Sequence, residues 1–265
     1  MNPSQSFRCE VRDAIATVTL SRPERLNALT FQVYGELTAW FGSLQANSEI
    51  RAIILRGDGG AFCSGGDVKE IIAPLLEYDM DKTLEFTRLT GRLVRNIIKC
   101  RKPVVAELKG VVAGAGAVIA LAADLRIASE DCRIAFLFTR VGLAGCDMGA
   151  AYLLPKVIGL GRALELLYTG DFISAADAHR VGLVNRVVQQ PELETSTRAL
   201  ASHLAEMPGF SIAMTKEVVF KELNMDLENA IETEAQAQAI CMKHPDFQEG
   251  YQAFVERRPP RFNQS

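Results

Sequence analysis

The sequence predicts an α/β fold that gives way to a purely helical C-terminal region, and three observations carry that prediction. Short apolar runs of strand character alternate with loops and helical stretches through about residue 190. Two of the strand-to-helix loops are rich in glycine, Ala61 to Asp67 and Lys109 to Asp124. From Pro191 onward only helical periodicity is found.

Taken in order, FRCEVRDAIATVTL reads as two short strands joined near Arg12-Asp13, with Ile15, Val18 and Leu20 as core residues. SRPERLNAL follows as a loop, and Thr30 offers an N-cap for a helix ending near Ala46. Ile53 to Leu55 is an apolar strand that runs into the DGGAFCSGGD loop, and a helix starts close to Asp67. An amphipathic helix spans roughly Met80 to Lys102 and stops before Pro103. PVVAEL is a strand, followed by a glycine-rich turn, a buried helix to about Ala122 and the strand DLRIAS. A strand near Ile134 to Phe136 leads to the loop VGLAGCDMGA and a helix that meets Pro155. Gly170 ends the GRALELLYTG helix, Ser174 caps the next, Gly182 stops it, and NRVV is a strand. Helices are then expected over Glu192 to Glu206, Ser211 to Leu223, Leu227 to Lys243 and Asp246 to Glu256. No low-complexity linker intervenes, so residues 1–190 form the core and 191–265 a helical extension of the same domain.

Composition narrows the function. With 265 residues, 48% hydrophobic and 23% charged, the chain is neither disordered nor a disulfide scaffold. Its 29 basic against 32 acidic residues argue against a nucleic-acid partner. The six cysteines contain no CxxC pair, and the three histidines no HxxxH, so no metal site is expected. The longest uncharged apolar run, Val111 to Ala123, is too short to span a bilayer. The N-terminus lacks a signal-peptide h-region, and a cytoplasmic protein is expected.

The two glycine-rich loops are the places for chemistry. AFCSGGD sits between a strand end and a helix start, where free backbone amides can meet an anionic oxygen; an ordinary glycine turn reads the same way. Gly114-Ala115-Gly116 opens a helix with no polar side chain for two turns, and its first amides point outward. The spacing is not that of a dinucleotide fingerprint.

RPERLNAL (Arg22 to Leu29), AFCSGGDVKE (Ala61 to Glu70), Gly114 to Ala128, Gly170 to Val188 and the final FQEGYQAFVERRPPRF together resemble the enoyl-CoA hydratase/isomerase, or crotonase, superfamily. The resemblance runs nearly end to end. It implies a spiral of ββα units, C-terminal helices that form homotrimers or dimers of trimers, and an acyl-CoA thioester substrate with no further cofactor. It places the two oxyanion-hole amides at Ser64 and Ala115, flanked by Gly65, Gly66, Asp67, Gly114 and Gly116. Arg25, Leu26 and Lys69 fall where the family contacts CoA; a solvated surface charge is the other reading for Arg25 and Lys69.

The chain departs from the hydratase pattern at both of its glutamates. Val118 and Phe138 stand at those positions, and neither side chain transfers protons. What remains is Asp147, close to the aspartate that family isomerases use as a base, although one extra residue separates it from Leu143. A helix cap is its alternative role. Glu70, Glu107, Cys63, Cys146 and Tyr152 are the other polar candidates. The expected activity is double-bond or ring isomerisation of an enoyl- or aryl-CoA. A hydratase with unusual acid and base residues, or a CoA-ester-binding protein with little catalysis, stays open.

Overall fold

Alternation along the central strands decides the architecture. In a computed structural model that describes residues 7–44 and 47–262, β1 (Phe7–Arg12) and β2 (Ile15–Leu20) form a hairpin, and β3 (Ala52–Gly57) pairs parallel with β2. Between them lies α1 (Phe31–Ser43), whose Thr30 hydroxyl accepts the Val33 amide at 3.2 Å as the sequence predicts. After a turn of π-helix at Val68–Ile72 come α2 (Ala73–Leu75) and α3 (Met80–Lys99). Two ββα units follow: β4 (Val104–Leu108), β5 (Val111–Ala113) and α4 (Ala115–Ala122), then β6 (Leu125–Ser129), β7 (Arg133–Ala135) and α5 (Ala150–Ile158).

In each unit the first strand joins one sheet and the second strand another. The larger sheet has the order β1-β2-β3-β4-β6-β9, with β9 at Arg186–Val188; the smaller has β5-β7-β8, with β8 at Ile173–Ser174. This is the spiral that the resemblance implies. The sequence reading missed β5 and β8. Val111–Ala113 reads as part of a glycine turn, yet it pairs residue for residue with Arg133–Ala135. A three-residue strand leaves too little periodicity to read. The intervening helices are α6 (Leu160–Thr169) and α7 (Ala175–Arg180), ended and capped by Gly170 and Ser174 as expected.

The parallel strands are buried on both faces. Ile53, Leu55, Val104, Ala106 and Ala128 pack into the main core. Their neighbours Ile15, Ala52, Ile54, Val105 and Ile127 point the other way, against α8 (Leu193–Glu206), through Leu193, Ala201 and Ala205. The first helix after residue 190 therefore covers the sheet, and the expected boundary there separates chain segments that share one core. Next, α9 (Gly209–Glu222) is pinned by Lys216, whose ammonium donates to Asp124 at 2.8 Å and to the Ile97 carbonyl at 3.2 Å. α10 (Leu227–Cys241) and α11 (Pro245–Glu256) are shallower, and Phe247, Tyr251 and Phe254 are left exposed. Among the described residues no helix is long and apolar enough to cross a membrane.

Lys216→Met removes the partner of a largely buried carboxylate and is expected to lower unfolding free energy by about 3 kcal/mol. Urea denaturation at neutral pH measures it; an unchanged midpoint would mean that apolar packing alone holds α9.

Candidate active site

Three chain segments are stitched together at one edge of the spiral. β3 ends at Gly57, where a Cβ would lie 2.3 Å from the Ala61 and Phe62 carbonyls. The chain turns there and runs beside β5: Phe62 donates to Lys109 and Cys63 to Val111, while Ala113 donates back to Cys63 at 2.8 Å. The 22–29 loop closes over this from the other side. Buried Asn27 donates to the Asp58 and Ala61 carbonyls at 2.9 and 2.8 Å. Leu29 donates to Gly65, and Asp67 to Leu29, both at 2.8 Å.

This stitching decides which amides are free. Ser64, expected as an oxyanion donor, has its amide on the Leu26 carbonyl at 3.0 Å, so that assignment is corrected. The Gly65 amide leans on the Cys63 sulfur at 3.4 Å. The amides of Gly66 and Ala115 donate to no protein group among the described residues. Ala115 is the first residue of α4, where no intrahelical acceptor exists. Gly65, at φ +107°, brings the two loops into contact: a Cβ there would stand 3.6 Å from the Ala115 nitrogen. The sequence reading has Gly66 at the site but not as the donor, because position along a motif does not show which amide the neighbouring loop takes.

Several of the other expected contact residues hold the loops in place. Asp67 is buried; one oxygen accepts the Lys69 and Glu70 amides at 2.9 and 3.1 Å, and the other faces Arg22 at 3.2 Å. Burial alone would raise its pKa, but those amides and the guanidinium hold it below the usual range. Both carboxylate oxygens are thus engaged, and Asp67 caps the helix. Glu70 completes the same Arg22 latch at 2.8 Å. Gly116 is a packing residue: a Cβ would meet the Cys63 carbonyl at 2.5 Å and its Cβ at 2.7 Å. Gly114, at φ +52°, makes the turn into α4. Arg25, Leu26 and Lys69 are exposed around these loops, and neither Arg25 nor Lys69 forms an ion pair among the described residues.

Asp147 is half-buried in the loop before α5. Its Oδ1 accepts the Met148 amide at 2.8 Å, and Met148 sits at φ +51°. Helix α5 is instead entered through Gly149, with no side-chain cap, so the helix-cap reading of Asp147 does not hold. Burial raises the Asp147 pKa, and the single Met148 amide offsets it only in part. Tyr34 on α1 is 2% exposed and close enough to Asp147 and Cys63 for both to act on its ionisation. Burial first, and then those two groups, push its pKa well above the usual value, so the phenol keeps its proton. Sequence patterning gave no sign of Tyr34, which sits on α1's buried stripe like any core aromatic.

Val118 and Phe138 are buried and apolar, as the sequence says. Glu107 is buried too, but it faces Arg56 and Glu194 beneath α8, on the sheet face opposite the loops. Burial pushes the Cys63 thiol up to about 12, which removes it as a nucleophile. Cys146 is exposed. Tyr152 is exposed as well, bonded to Asn224 at 2.8 Å.

A spiral of ββα units with two free amides meeting at a helix N-terminus defines the crotonase fold. The chain belongs to the enoyl-CoA hydratase/isomerase family, whose model matches residues 10–265. A Rhodobacter capsulatus protein named "probable enoyl-CoA hydratase" is 38% identical over 97% of both chains. The 1,2-epoxyphenylacetyl-CoA isomerase of Escherichia coli is 32% identical over 95% of this chain and 96% of its own. A solved Streptomyces coelicolor A3(2) structure, titled "putative enoyl-CoA hydratase", superposes with a TM-score of 0.97 at 47% identity, covering 100% of this chain and 96% of its own.

Gly116→Ala forces a methyl group into Cys63 and is expected to cost about 2 kcal/mol while parting the two loops. A thermal melt run beside a thioester-binding titration checks this; an unaltered protein would show that the contact relaxes freely.

Proposed function

We propose that this family member isomerises an acyl-CoA thioester through an enolate, with Asp147 as the base. The observation that carries the reading is a lone, half-buried carboxylate in the loop before α5, in a chain whose two hydratase-glutamate positions are Val118 and Phe138. The thioester carbonyl would accept the Gly66 and Ala115 amides. Asp147 would take a proton from an acyl carbon, leaving the electron pair delocalised onto that carbonyl oxygen. Two aligned amides, one at a helix N-terminus, stabilise the charge. The Asp147 carboxyl exchanges its proton with solvent, and return of a proton from it to a different carbon moves the double bond and restores the carboxylate.

Hydration would require a second proton-transfer group beside Asp147, and neither Val118 nor Phe138 supplies one. Arg25 and Lys69 are suited to CoA phosphates, and the chemistry calls for no cofactor beyond the CoA that the substrate carries. The exposed Phe247, Tyr251 and Phe254 on α11 support assembly into trimers, singly or in pairs; a monomer in sedimentation would remove that part.

Turnover of 2-enoyl-, 3-enoyl- and aryl-CoA thioesters in deuterated water, read by mass spectrometry, tests the reading. Deuterium in an unhydrated product is expected. Water added across the double bond would replace isomerisation with hydration, and binding without turnover would leave a CoA-ester-binding protein.

The raised pKa also fixes a sign. A carboxyl that holds its proton more tightly when folded loses stability as pH rises from its unfolded to its folded pKa, and the deficit persists above. Asp147→Asn is therefore expected to unfold no earlier than the native protein at neutral pH, while kcat falls by about 10²-fold or more. In the native enzyme the acid limb of kcat/KM should lie above the ordinary aspartate range. Stability and activity falling together would return Asp147 to a structural role.

A further inference from the structure

The segment that joins α3 to β4 and the outer helix α9 leave a groove between them that the reaction above does not use. Two cavities meet in it, both lined by Arg101 and Ala213. One, of about 510 Å³, runs past Ile98 and Phe220; the other, of about 260 Å³, is lined by Arg51, Lys102 and His244. The larger is of ligand-site size. Arg51 immediately precedes β3, and Lys102 and Pro103 immediately precede β4, whereas the oxyanion loop leaves β3 at Gly57. The groove thus lies at the opposite end of the strands from the candidate active site, about 16 Å away at about 3.3 Å per residue.

The two ends of the groove differ in chemistry. Along α9 the charged side chains that line it are paired, Lys216 with Asp124 at 2.8 Å and Lys221 with Glu217 at 2.7 Å. Ile98, Ala213 and Phe220 give that end an apolar surface. At the other end Arg101 and Lys102 form no ion pair among the described residues. Burial first, and then the Arg101 and Arg51 guanidiniums against the pull of Cys100, lower the pKa of half-buried Lys102. The donors there are also held in place. The His244 ring stacks on Phe210 at 4.4 Å and 10°, and the Arg101 guanidinium lies 5.9 Å from the same Phe210 ring. His244 Nδ1 accepts the Asp246 amide at 3.2 Å, which leaves Nε2 as the ring's donor. Asp246 is the one carboxylate that lines this end among the described residues, and it is buried, 3.5 Å from His244.

We propose that this groove is a second ligand site, and that it takes an aliphatic carboxylate. The charged head would lie at Arg51, Arg101 and Lys102, and the hydrocarbon chain against Ile98, Ala213 and Phe220. Planar guanidiniums match the geometry of a carboxylate. With Asp246 beside it, a singly charged head meets less repulsion than a doubly charged phosphate. The site stands independently of the reaction assigned to the oxyanion loops.

The experiment is calorimetric titration of the whole protein with octanoate, octan-1-ol and inorganic phosphate, repeated in Arg101→Glu and Lys102→Glu. The native protein should bind octanoate at least about tenfold more tightly than either comparison molecule, and each substitution should weaken octanoate by about tenfold or more. Arg101 is exposed, so its replacement leaves the core intact, and a thermal melt of both variants checks the fold. Octanoate binding that neither substitution changes overturns the proposal, because the molecule then sits elsewhere, the acyl end of the active site included. Phosphate binding as tightly as octanoate overturns the apolar half of the site, and octan-1-ol doing so overturns the anionic half. Absence of octanoate binding to the native protein overturns the whole.

Discussion

The contact between Cys63 and Gly116 is where the two halves of the site become one object. A hydrogen atom on Gly116 occupies the place where any side chain would strike the Cys63 carbonyl and Cβ. Backbone bonds on either side keep it so, from Cys63 to Val111 and from Ala113 to Cys63. Those bonds belong to the strand pairing that continues through β5, so the loop inherits the rigidity of the smaller sheet. The Gly66 and Ala115 amides are thus held in place before anything binds. Donors that need no reorganisation when charge develops are the most effective kind.

The same geometry explains why motif matching alone misplaced one donor. AFCSGGD announces a loop of free amides, but three consecutive residues look interchangeable in a string. Ser64 is removed from the set by the Leu26 carbonyl, which reaches it because Leu26 and Asn27 adopt positive φ at 48° and 56°. That bond joins residues far apart in sequence. Asp67 shows the converse: the sequence starts a helix close to it, the structure makes it the cap, and Arg22, which lies 45 positions upstream, joins it.

Legibility followed physical length scale. Thr30, Ser174 and Gly170 marked helix ends because capping acts within three or four residues, and the structure places each as read. The apolar alternation of β2, β3 and β4 was long enough to be seen. The strands β5 and β8, with three and two residues, were not. In the site, Val118 and Phe138 were legible as absences of a carboxylate. Asp147 was legible as a candidate, but its helix-cap alternative fell only when the Met148 amide and the uncapped entry of α5 were in view. Glu107 and Tyr152 needed to be placed on a face before they could be dismissed. Tyr34 needed its neighbours Cys63 and Asp147, which lie far from it in sequence.

A buried cation stands behind the helix that presents the Ala115 amide. Arg126 is buried at the far end of α4, donating to the Ala123 carbonyl at 2.6 Å and to Leu183 at 2.7 Å. Burial lowers its pKa to about 10, which still leaves it cationic at neutral pH. Eight residues of helix separate it from the Ala115 amide, about 12 Å at 1.5 Å per residue. At an effective dielectric of about 20, a unit charge at that range favours an anion by about 1 kcal/mol. Since the helix is enclosed throughout, little solvent or salt intervenes to screen it. Arg126 thus acts as a fixed electrode behind the helix: part of the potential that an anion at the Ala115 amide would feel comes from the opposite end of α4.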